Sequence, residues 1–342
     1  MSDRGARTIA AAAGAILLGL AATPLMAQDL REITFVQPSP SAINSFPIYV
    51  AIGEGYFEDE GLEVRVESVN GSAAVLQALS ADQAQFGRPG PGPVLNARAR
   101  GVDVVFLYNM MTKSSFGIVV AEESDYQSVE DLKDTTIGVG TADGAEVSFA
   151  RGILSSVGMT EGEDYEFLPV GDGGTAAAAF LRDEVSSYAA STADAAILNQ
   201  RGLKMRDITP EEFVNYFGNG YVAMRSFIDE NPEVVEGFGR ALARAQVFAM
   251  DEGNRAAVLE HLRAGMPQES EDPEFAEALF EAVLAKTIPS DRSHGWGYQD
   301  PAHWERWHQS LVETGDLEAP MEDLEAAYTN DFVEKWNEGV AQ

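Results

Sequence analysis

Arg88 is the first residue of this chain with an obvious chemical use. It follows a short apolar run, 84–87, read as a strand, and precedes the rigid loop Pro89-Gly90-Pro91-Gly92-Pro93. In a chain with 55 acidic against 23 basic residues, its guanidinium could clamp a carboxylate or sulfonate of a ligand. It could equally hold a structural acid. Three further loops place Gly, Ser or Thr just before a helical pattern: Gly71-Ser72, Gly140-Thr141 and Gly173-Gly174-Thr175. Such loops offer free backbone N–H groups and the positive end of a helix dipole to an anion or acceptor, and Ser72, Thr141 and Thr175 each add a hydroxyl. Asp143 shares the second loop. Each loop is also an ordinary helix start. The polar segment 37–46 leaves a strand and enters a helix, the edge of an α/β sheet where ligands collect, and its Asn44 and Ser45 supply hydrogen-bonding groups. Phe46, Tyr49 and Tyr221 could stack on a planar ligand, although core packing is the default for aromatics.

Catalytic patterns are scarce. The four histidines, His261, His294, His303 and His308, lie in the last quarter of the chain. His303 and His308 are five residues apart, which does not put them on one helix face as zinc ligands would be, and Trp304 and Trp307 between them suggest packing. We expect no metal site and no cofactor. Gly138-Val139-Gly140 is followed by a glycine one residue too late for a dinucleotide fingerprint. No Gly-x-Ser-x-Gly elbow, phosphate-binding Walker loop or His-Glu-x-x-His is present.

These residues need elements to position them, and the chain supplies an alternation. Over 47–107 the pattern is helix, strand (Leu62, Val64 and Val66 alternating with charged residues), helix 71–79, strand 84–87, helix 94–100, strand. A second alternating block has strands at 116–120, 136–139 and 165–170, helices after Gly144 and at 176–182, then strands at 194–198, 203–208 and 221–224. From Asn231 onward only helices fit, at 232–248, 254–264, 273–286, 301–313 and 330–338. Two α/β units with a helical tail are the expected architecture.

The chain has 342 residues and a formal net charge of -32. That acidity disfavours binding to nucleic acid or to anionic membranes. The absence of cysteine excludes disulfides, thiolate metal sites and a lipid-modified Cys anchor. Arg4 and Arg7 precede an apolar run of about 14 residues, 9–22, then Thr23-Pro24-Leu25-Met26-Ala27 and polar Gln28. This is the order of a secretory signal peptide, with cleavage expected after Ala27. The run is shorter than the roughly 20 residues of a membrane span.

The runs "YVAIGEGYFEDEGLEV", "QALSADQAQFG" and "ARARGVDVV", with "SVEDLKDTTIGVGTADGAE" and "GYQDPAHWERW" further on, resemble solute-binding proteins of ABC importers. The resembling branch takes up thiamine pyrimidine precursors, nitrate and aliphatic sulfonates. The resemblance covers most of the chain after residue 28. It implies a two-lobed type II periplasmic binding protein, with crossovers near 117–121 and 222–226. The first lobe would be 29–118 plus 225–342, and the second 119–224. It implies an exported monomer that closes on a small solute and docks on a permease with a cytoplasmic ATPase. It also places Ser115 at the first crossover, Tyr221 at the second and Asp194 near the cleft. Asn44-Ser45-Phe46 lacks the histidine expected of pyrimidine binders, which favours a small organic anion or another aromatic. Two alternatives stay open: an enzyme of the same fold in pyrimidine-precursor synthesis, whose cysteine-rich motif is missing here, and a ligand-sensing module of a membrane receptor.

Overall fold

The computed structural model describes residues 30–340. The expected signal peptide, 1–27, lies outside the described residues. Ten strands follow in chain order: β1 (Arg31–Gln37), β2 (Leu62–Ser68), β3 (Phe86–Gly87), β4 (Val104–Tyr108), β5 (Phe116–Ala121), β6 (Thr135–Val139), β7 (Tyr165–Pro169), β8 (Ser187–Ser191), β9 (Met205–Asp207) and β10 (Tyr221–Met224). They form two five-stranded sheets, β2-β1-β3-β10-β4 and β7-β6-β8-β5-β9. In each sheet the first three strands run parallel, and the strand that enters from the other sheet pairs antiparallel next to them. This repeated order, with one strand inserted from a crossover, is the two-lobed α/β architecture expected from the alternating pattern.

The sheets are joined by 109–115 and 214–220, which run side by side. Met111 N donates to Asn219 O at 3.1 Å, Gly218 N to Met111 O at 2.8 Å and Ser114 N to Val214 O at 3.2 Å. Parallel β1, β3, β6 and β8 all deliver their C-terminal loops toward the space between the sheets, where open α/β folds bind ligands.

The crossovers, expected near 117–121 and 222–226, fall a few residues earlier, because 116–121 already pairs in the second sheet and 221–224 in the first. One element also differs from the sequence reading. Residues 194–198, expected as a strand, belong to the helix Thr192–Gln200, and the strand of this region is β8 just before it. Ser191 Oγ accepts from Asp194 N at 3.2 Å, while the Asp194 carboxylate accepts from Ser191 N at 3.1 Å. This reciprocal capping starts a helix where the apolar run alone suggested a strand. The small residues of β8 carry little strand propensity, so its pairing with β5 and β6 is what makes it a strand.

The helical tail completes both cores. In the helix Pro232–Met250, Val235, Phe238, Leu242 and Ala245 are buried on one face, and Phe238 stacks on Phe86 at 3.8 Å. Trp304 lies in the helix Pro301–Glu313 and donates its indole N–H to Gln299 Oε1 at 3.0 Å. Gln299 in turn donates to Phe106 O at 2.7 Å, fastening the tail to β4. Trp307 of the same helix donates to Phe217 O and packs on Phe149 of the second sheet's helix Ala145–Ser156. Among the described residues no helix is long and apolar enough to cross a membrane.

Candidate ligand-binding site

A polar cavity lies between the two sheets, with about 80 Å³ open to the centres of water molecules. It has room for a few waters or a compact solute.

One wall comes from the first sheet. The loop after β1 contributes Pro38, Ser39 and Asn44. Glu269, from the tail, fixes that loop by accepting from Ala42 N at 2.7 Å and Ile43 N at 3.1 Å. The helix Gly71–Ser80 presents Gly71 and Ser72, and Ser72 Oγ accepts from Gly90 N at 3.3 Å. Arg88 follows β3 and is only 4% exposed. It makes no ion pair among the described residues, its Nε has no hydrogen-bond partner, and it lines the cavity. Burial pulls its pKa down to about 10, opposed only by Tyr221 and Tyr49 beneath it, so at neutral pH it remains a cation without a carboxylate partner. Asn219 donates to Arg88 O at 3.0 Å and turns an unpartnered Oδ1 to the same space.

The other wall comes from the second sheet. Thr141 and Glu146 flank the start of the helix Ala145–Ser156, Asp172 follows β7, and Ser191 and Asp194 follow β8. Glu146 accepts from Thr141 N at 3.2 Å, and Tyr188 donates to Asp172 Oδ1 at 3.3 Å. A Cβ on Gly140 would overlap Asp172 and sit 3.2 Å from Glu146 Oε1, so glycine is what lets the two carboxylates gather there. Burial raises Glu146 from 4.5 to about 7, with Asp172 and Asp194 adding to the shift. Burial and then Asp172 raise Asp194 to about 6.

The sign of the resulting pH dependence is fixed. Between about pH 4.5 and 7 the folded chain holds a proton on Glu146 that the unfolded chain has released, so folding stability falls as pH rises through that window. A shift of this size corresponds to about 3 kcal/mol. The solute-free protein is therefore expected to melt higher at pH 5 than at pH 7.5, and Glu146→Gln should flatten that dependence. Thermal melts of both proteins across the range check it; parallel curves would refute it.

Of the residues singled out in the sequence, the cavity gathers Asn44, Ser72, Arg88, Ser115, Thr141 and Asp194. Ser45 is fully buried beside Asn44, with its hydroxyl unpartnered, but does not line the cavity. Phe46 packs edge-on against Phe280 at 5.3 Å in the core. Tyr221 is fully buried among Phe35, Tyr108 and Phe238. Asp143 lines a separate groove beside Arg100 and Arg151. Thr175 is exposed and donates to Asp172 O at 2.8 Å, capping its own turn. The sequence reading gave no site role to Glu146 or Asp172, because in so acidic a chain single carboxylates carry no signal. The histidines do not join the site: His303 stacks on Phe217, His308 accepts from Met321 N, and His261 pairs with Glu54.

Two like-ordered sheets closing on a polar cavity at their strand ends define the fold of periplasmic solute-binding proteins. The chain belongs to the NMT1/THI5 like family, which matches residues 42–256. It is 26% identical over 324 residues to the riboflavin-binding protein RibY of Chloroflexus aurantiacus, covering 92% of this chain and 89% of that protein. It is 22% identical over 288 residues to a formylaminopyrimidine-binding protein of Halalkalibacterium halodurans, covering 82% and 84%. The structure superposes with a TM-score of 0.67 on the alkanesulfonate-binding protein SsuA of Xanthomonas axonopodis pv. citri bound to MOPS, at 17% identity, covering 88% and 98%. Yeast synthases of a pyrimidine phosphate also stand among its relatives.

Proposed function

We propose that the protein is the extracytoplasmic binding component of an ABC importer, capturing a small organic solute between its two lobes and delivering it to a permease with a cytoplasmic ATPase. The solute carries an anionic group, sulfonate or carboxylate. The observation that carries this reading is Arg88, a buried cation that lines the cavity between the sheets and makes no ion pair among the described residues. An uncompensated buried charge is costly, and a ligand anion meeting the planar guanidinium side-on would offset it. The contacts we assign to solute are Asn44, Ser72, Arg88, Ser115, Thr141 and Asp194. The connecting segments 109–115 and 214–220 act as the hinge, and contacts to both walls drive closure.

A planar heteroaromatic is the second reading, favoured by what the curated relatives are named for binding. Against it, Phe116 is the only aromatic residue of the cavity wall among the described residues. The synthases among the relatives keep an enzyme of this fold as a competitor, and turnover of a bound compound would establish it. A receptor's sensing module would bind in the same way and differ only in its membrane partner.

A thermal-shift panel of alkanesulfonates, short carboxylates, nitrate, pyrimidines and flavins tests the reading. A solute at 100 times its dissociation constant should stabilise the protein by about 2.7 kcal/mol. Response to sulfonates or carboxylates is expected; response to pyrimidines or flavins alone would overturn the anion assignment.

A further inference from the structure

We propose that the solute is a compact zwitterion, with its anionic group on Arg88 and a protonated amine on the carboxylates of Glu146, Asp172 and Asp194. This rests on the binding-protein reading above and names the class of solute within it.

The argument begins with how the charges are divided. The cavity has two walls, and each carries one sign. Arg88 supplies the only charge of the first wall, and the second carries three carboxylates. The two sets do not neutralise each other, since Arg88 makes no ion pair and its nearest ionisable neighbours are Tyr221 and Tyr49. The acids of the second wall lack a cation as well. The charged and titratable groups facing them are one another and Tyr188 of β8. Arg201, at the end of the helix that begins beside Asp194, lies against Gly174 and makes no ion pair with them.

The hydrogen bonds to these acids are local. Asp194 is held by Ser191, Glu146 by Thr141 N and Asp172 by Tyr188. These contacts orient the carboxylates without adding positive charge. An ammonium has three donors and would supply both missing hydrogen bonds and charge. A plain anion would satisfy Arg88 but sit across a small space from up to three negative charges. A plain cation would leave Arg88 unpaired. Only a solute with both charges offsets both walls, and the cavity between them favours a compact one. Short aminosulfonates and amino acids with the amine distant from the acid have this form. The unpartnered Thr141 Oγ1 and Asn219 Oδ1 complete the polar lining.

The test is isothermal titration of the purified protein with matched probes: 2-aminoethanesulfonate against ethanesulfonate, and 3-aminopropanoate against propanoate. Each amino compound is expected to bind at least 30-fold more tightly than its partner. Glu146→Gln and Asp172→Asn, each confirmed folded by its melting curve, should shrink that ratio to a few-fold through weaker binding of the amino probes. The affinity for the amino probes should rise from pH 5 to pH 7.5 as the carboxylates ionise, whereas that for ethanesulfonate should hold or fall. Equal binding of each pair would overturn the zwitterion and leave the anion reading standing. Binding of a neutral aminopyrimidine, with none of the four probes bound, would overturn both.

Discussion

Arg88→Met is expected to weaken solute binding by about 100-fold or more while leaving the solute-free protein at least as stable as the native one. The two halves of this result have one cause. Arg88 is 4% exposed, has no protein anion beside it and is a weaker base than a free guanidinium because burial penalises its charge. A base whose pKa falls from 12.5 to about 10 on folding destabilises the neutral-pH folded state by up to about 3 kcal/mol. Methionine keeps an unbranched apolar stem in the same space and removes that penalty. It also removes the group that a ligand anion would meet, and losing one partner of a buried charged pair costs 2–5 kcal/mol. Thermal melts and titration calorimetry on the same preparation separate the effects. Retained affinity would take Arg88 out of the site. A collapse in melting temperature would make it a structural residue after all.

Gly90→Ala is expected to weaken binding by roughly 10- to 100-fold through a single methyl group. Gly90 has φ -84° and ψ 163°, an ordinary extended conformation, so alanine brings no backbone strain there. Its Cβ would overlap the Cβ of Ala145 on the opposite wall. Overpacking of this kind costs 1–3 kcal/mol. Gly90 stands two residues beyond Arg88, and Ala145 immediately precedes Glu146, so relief of the clash would separate the two walls that share the solute. The reciprocal change makes the test specific. Ala145→Gly alone should have a smaller effect, and the double variant Gly90→Ala/Ala145→Gly should recover most of the lost affinity. A double variant as weak as Gly90→Ala alone would mean that the methyl acts elsewhere.

The site was half legible in the sequence. Arg88 could be read because its loop is rigid and a cation stands out in so acidic a chain, and the Gly-Ser and Gly-Thr helix starts could be read from their order. Phe46 and Tyr221 could not be separated from site aromatics, because a ring that stacks on a ligand and a ring that fills a core share type and spacing. Phe280 and Phe238, which claim them, lie far away in the chain. Thr175 and Asp143 share the loop chemistry of Thr141, yet Thr175 caps its own turn and Asp143 lines a separate groove. Glu146 and Asp172 became informative only when two loops, brought together by Gly140, placed them side by side.

The sequence by itself determined the alternation of strand and helix, the acidic surface, the lack of sulfur chemistry and the family, since all of these depend on local pattern and composition. The tertiary structure decided which strand enters which sheet, that 194–198 is capped into a helix, and which charges face the cavity. Pairing and charge opposition are contacts between residues far apart in the chain, from Arg31 with Leu62 to Gly87 with Val222. Local propensity does not record the single unpaired cation on one wall or the three acids on the other. They are properties of the closed space between the sheets.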